Sequence, residues 1–99
     1  MKLNSGELVT KELVEKYLRI TQEARGKATP LAKGEEEINH LQSMLDMCDN
    51  YYSDAMHFME KGDLVRAFGA INYSHAWLDA AVRIGLMDGH GDDRLFTLP

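Results

Sequence analysis

The sequence predicts an all-α fold, an up-down-up three-helix bundle with a short C-terminal tail packed back on it. Three observations carry this. Apolar residues recur at spacings of three and four through three long segments. Glycine-containing breaks separate those segments. No segment alternates with period two over the length of a strand, so no sheet is expected. The 99 residues fit one helical domain.

The first helix is expected over about residues 5–25. Asn4 is placed to cap it, Glu7 stands at the capping-box position, and Leu3 and Leu8 form the staple pair. Leu13, Tyr17, Ile20 and Ala24 then make one buried stripe. GKATPLAKG, residues 26–34, is the first connection, although Thr29-Pro30 can also start the next helix early as a cap and first-turn proline.

The second helix is expected over about residues 35–61. Glu35, Glu36 and Glu37 favour the positive end of its dipole. Ile38, Leu41, Leu45, Cys48, Tyr52, Ala55 and Met59 keep the rhythm, and Met44, Tyr51 and Phe58 flank it. A stripe this wide faces more than one neighbour. Gly62 ends the helix and Asp63 caps the next, a turn tight enough to make the two helices antiparallel neighbours. The third helix is expected over about residues 63–86, on Leu64, Phe68, Ile71, His75, Leu78, Val82 and Gly85. In the tail, residues 87–99, apolar Leu95, Phe96 and Leu98 follow a polar stretch, which implies that the tail folds back.

Composition narrows the function classes. Hydrophobic residues at 44% and charged residues at 27% are those of an ordinary globular domain, so a core can form. A net charge of −5 argues against general attraction to nucleic acid or to an anionic membrane. The lone Cys48 forms no internal disulfide and suits a reducing compartment. No N-terminal apolar run has signal-peptide length, and none approaches the roughly 20 residues that cross a bilayer. The expectation is a cytoplasmic protein.

Several residues suggest chemistry. Cys48, His75 and Asp79 resemble a nucleophile, a base and an orienting acid, since the hairpin register brings His75 near Cys48 and Tyr52. A bundle seam, however, offers neither access nor an oxyanion hole. Glu37-x-x-His40 and Asp54-x-x-His57 match the carboxylate-x-x-His spacing of di-iron bundles. Both lie on one helix, roughly 25 Å apart at helical rise, and a di-iron centre needs them on different helices. GHGDD, residues 89–93, lacks the ligand spacing of a calcium loop. No phosphate-loop, dinucleotide, zinc-protease or paired-cysteine motif occurs. No catalytic residue, metal or cofactor is expected.

Two sets of residues remain. Tyr52, Asp54, Asn72, His75 and Asp79 form a polar layer between the second and third helices, either a satisfied hydrogen-bond network or a small-ligand pocket. Met56, Trp77 and Phe96 are candidates for an exposed apolar patch facing a protein partner or a second copy of the chain.

Residues 51–86, with Tyr52, Asp54-Ala55, Phe58, Gly62-Asp63, Ala67, Tyr73, Trp77-Leu78-Asp79 and Gly85-Leu86, resemble the archaeal family catalogued as domain of unknown function 357. Asp93-Arg94-Leu95-Phe96 of the tail is similar too. The resemblance implies a small three-helix bundle in an archaeal cytoplasm and brings no activity with it. The leading expectation is therefore a non-enzymatic module that binds another protein or itself. The alternative is a small-ligand or nucleotide-related binding protein, or an enzyme, built on the polar layer.

Overall fold

The computed structural model describes residues 8–98. Three helices run in order: α1 (Lys11–Lys27), α2 (Gly34–Glu60) and α3 (Leu64–Arg83). A two-residue strand, β1 (Thr29–Pro30), pairs antiparallel with β2 (Met87–Asp88). The architecture is the all-α bundle that the periodicity implies, with the tail laid back on it. The short β-pair is a correction to the expectation of no sheet, and it shows that Thr29-Pro30 does not start α2. Two residues are too few to leave a periodic signature. Their pairing, with the Leu31 amide donating to the Leu86 carbonyl, ties the first connection to the end of α3.

Helix ends follow local chemistry. Thr10 caps α1, its Oγ1 accepting from the Leu13 amide at 3.1 Å, so the helix begins later than Ser5. Asn4, Glu7 and Leu3 lie outside the described residues, and Leu8 stands before the helix, 71% exposed. At the hairpin, Gly62 takes φ +76, the Asp63 amide donates to the Phe58 carbonyl, and Asp63 Oδ1 accepts from the Arg66 amide. Gly85, at φ +82, stops α3 in the same way, with the Leu86 amide on the Ala81 carbonyl. Gly85 is thus a terminator and not the last residue of the stripe. In both cases a left-handed glycine satisfies carbonyls that the helix end would otherwise strand.

Two apolar clusters make the core. One lies toward the hairpin, around Val14, Tyr17, Leu18, Ala55, Ala67 and Ile71. The other lies toward the tail, where Leu95 and Phe96 join Leu45, Cys48, Leu78 and Val82. Ile38, expected in the stripe, is 53% exposed. From their shared turn α2 runs 27 residues and α3 only 20, so the first turns of α2 outreach their neighbour.

Candidate functional site

The buried polar groups gather around α3 and face two ways. Ser74 faces α2: its Oγ donates to the Cys48 carbonyl at 2.7 Å and stands 3.5 Å from the Cys48 thiol. His75, one residue on, turns toward α1 and the tail. Its Nε2 lies 2.7 Å from the Leu95 carbonyl and its Nδ1 lies 2.9 Å from the Thr21 hydroxyl. A carbonyl only accepts, so Nε2 carries the proton, and in the neutral ring Nδ1 accepts from Thr21.

His75 begins a ladder. At about 3.6 residues per turn, positions four apart share a helix face. His75, Asp79 and Arg83 use that spacing to hold successive backbone groups of the tail. Asp79 Oδ1 accepts from the Thr97 amide at 3.0 Å, and Arg83 Nη1 donates to the Leu98 carbonyl at 3.3 Å. Asp79 Oδ1 is also 3.8 Å from His75 Nε2. From the other side α1 grips the tail through charge. Lys27 Nζ meets Asp92 Oδ2 at 2.7 Å, and Arg94 pairs with Glu23. Asp92 Oδ1 further accepts from the amides of Arg94 and Leu95, shaping the turn before the buried leucine. Lys27 and these two amides hold the Asp92 carboxyl below its ordinary range.

A cleft of about 270 Å³ opens beside this ladder, lined by Tyr17, Ile20, His75, Asp79, Arg94 and Thr97 among others. It lies between α1, α3 and the tail, not between α2 and α3. Of the five residues assigned to a polar layer, only His75 and Asp79 come together here. Tyr52 lines a smaller crevice with Thr21, Arg25 and Asp49. Asn72 turns back and donates to the Phe68 carbonyl of its own helix. Asp54 is exposed on α2. Among the described residues no buried side-chain nitrogen or oxygen lacks a partner, and no three His, Cys, Asp or Glu stand close enough to share a metal ion.

The nucleophile-base-acid arrangement does not assemble, since Cys48 meets Ser74 and both nitrogens of His75 are engaged elsewhere. Burial pushes the Cys48 thiol up, which keeps it protonated and a poor nucleophile.

A family model matches residues 16–87, most of the chain, under the description "Protein of unknown function (DUF357)". The chain belongs to the DUF357 family. No curated protein and no solved structure matches it. In this DUF357 chain the matched span covers Thr21, His75 and Asp79. The Asp93–Phe96 stretch of the tail lies beyond it.

The apolar candidates separate. Met56 is 48% exposed, whereas Phe96 is 3% exposed and belongs to the core, so it offers no surface. Trp77 is half-buried and forms a different group: its ring centroid lies 6.0 Å from that of Tyr73, which lies 4.3 Å from that of Tyr51. Tyr73 is 43% exposed. Tyr73 and Trp77 each stand two residues from His75, so at about 100° per residue they point to the opposite side of α3 from α1. Sequence reading places Tyr51 and Tyr73 at similar heights on facing helices, as the ring contact bears out, but it missed Thr21, Arg83 and Thr97. Thr21 carried a usable signal, four residues after Tyr17 and three before Ala24, but a polar side chain is discounted in an apolar stripe.

Proposed function

We propose that this DUF357 protein is a non-enzymatic helical module that binds another protein through the side of the α2–α3 hairpin that α1 leaves uncovered. The supporting observation is the row of ring contacts through Tyr51, Tyr73 and Trp77, with Tyr73 open to solvent at the centre. Aromatic side chains give large contact area at low entropic cost and are enriched at binding hot spots. The reading carries with it the cytoplasmic, archaeal setting that the family resemblance implies. No helix among the described residues is long and apolar enough to cross a membrane.

The test is site-specific photo-crosslinking in cells that express the protein. A photoreactive phenylalanine analogue at position 73 should yield a discrete adduct, and the same group at position 56 should not. Adducts at neither position, or equally at both, would remove the reading.

A second reading rests on the cleft beside His75 and Asp79, whose volume of about 270 Å³ lies just under the usual range for small-molecule pockets. Native mass spectrometry of gently purified protein decides it. A retained mass that disappears in Asp79→Asn would establish the ligand reading, and a bare chain mass would remove it.

A further inference from the structure

α3 is covered on three sides within the chain. α2 meets Ser74, α1 meets Phe68 and His75, and the tail meets Asp79. At about 100° per residue, Gly69, Tyr73, Trp77 and Ala80 fall along the remaining side. That side carries no charged residue between Arg66 and Arg83. A helix exposed on one side ordinarily places charges there, and a helix apolar or small all round is a buried helix.

Gly69 sharpens the point. It sits in the interior of α3 without a positive φ, and among the described residues nothing outside the backbone of its own helix stands within 4 Å of where its Cβ would be. A glycine there weakens the helix relative to alanine. No contact among the described residues requires it. A second backbone passing close to α3 would require it.

Tyr51 of α2 and Tyr73 of α3 meet along this side, and the α2 wall of the shallow groove between the two helices is acidic. α2 holds seven Asp and Glu and no Lys or Arg over its 27 residues, in a chain of net charge −5. Asp49 is directed to Arg25 of α1. Asp54 and Glu36 are exposed, and their spacing from Met47 sets them in its row, next to the row of Met44 and Tyr51. Arg66, the cation on this side of α3, sits at the hairpin end, paired with Asp63 and stacked on Phe58. A second copy of the chain would bring the same net charge of −5 to the contact, and like charges across an interface oppose docking.

Resting on the binding role proposed above, we infer that the groove docks a basic amphipathic helix of another protein. Its apolar seam lies on Tyr51, Tyr73 and Trp77 and passes closely over Gly69. Its Lys or Arg residues face Glu36 and Asp54. This is the helix-in-groove mode, in which apolar anchors supply affinity and flanking charges select the partner.

The probe is a synthetic amphipathic helix of about five turns, made with one apolar seam and a polar face of all Lys or all Glu, plus a Lys peptide of scrambled order. Binding is read by Trp77 fluorescence and by amide chemical shifts. The Lys peptide should bind at least about tenfold more tightly than either control, a difference of about 1.4 kcal/mol, with shifts centred on Tyr51, Tyr73 and Trp77. Glu36→Gln with Asp54→Asn should weaken it, and added salt should do the same. Gly69→Gln improves the helix while filling the groove, so it should abolish binding without loss of stability.

Equal binding of the Glu or scrambled peptide overturns the inference. So does a dimer that Gly69→Gln dissociates, which makes the occupant a second copy while leaving the binding role intact. Failure of every peptide on a monomeric chain overturns the basic occupant, and only the added absence of a selective position-73 adduct takes the binding role with it.

Discussion

The two ends of the bundle are closed by different physics. At the hairpin end everything is local: the Asp63 amide reaches the Phe58 carbonyl and the Asp63 carboxylate reaches the Arg66 amide. At the tail end the links are distant in sequence. Thr21 meets His75 across 54 positions, Lys27 meets Asp92 across 65, and Glu23 meets Arg94 across 71. Local closure is cheap in chain entropy, whereas distant closure has to be held by burial and many small polar contacts. The tail end is therefore where this protein opens first, in the sense of sub-global unfolding.

The largest expected effect tests that ranking. Leu95 is 1% exposed, and Leu95→Ala should cost about 2–5 kcal/mol in urea unfolding, the range for a buried leucine. A much smaller loss, with the tail amides already exchanging freely, would mean that the tail detaches as a unit and would sharpen the contrast between the ends. His75→Ala strands the Thr21 hydroxyl and the Leu95 carbonyl, with an expected cost of about 1–3 kcal/mol. Hydrogen exchange at Leu95 and Phe96 should accelerate more than at Phe58. The reverse order would break the comparison.

Gly62→Ala forces a Cβ into φ +76 and should cost about 1–2 kcal/mol, while leaving exchange in the tail unchanged. Acceleration in the tail would show the two ends to be coupled. The smallest effect is set by pH. Asp92 has its folded-state pKa lowered by Lys27, so its contribution is present above the unfolded carboxylate range and is lost as pH falls through the folded value. Acid strong enough to protonate Asp92, below the ordinary carboxylate range, should loosen the Arg94 and Leu95 amides, and Asp92→Asn should abolish that pH dependence. An unchanged acid response in the variant would sink this assignment.

The hairpin end was legible residue by residue. Gly62 and Asp63 each act through a backbone preference that needs no distant partner. The same holds for the stripe of α2, apart from Ile38, whose burial depended on how far α3 reaches. The site was legible only in fragments. His75 and Asp79 stood out as a pair four residues apart, yet their partners were invisible because Leu95, Thr97 and Thr21 join them through long-range packing. Phe96 read both as part of the returning tail and as a surface anchor, and it is core, because apolarity alone does not say which side of a tail faces inward. Tyr52, Asp54 and Asn72 shared a height in the hairpin with His75, but rotation about two helix axes sends them elsewhere.

Sequence by itself determined three helices, the tight turn between two of them, and the return of the tail, since periodicity and capping act over a few residues. Tertiary structure alone decided that Ser74 and not His75 faces Cys48, and that α3 clasps the tail backbone. It alone decided that the described residues leave one aromatic side of α3 uncovered. A side chain's direction changes by about 100° with each residue of helix, so an apolar stripe survives small errors of phase. A single hydrogen bond does not.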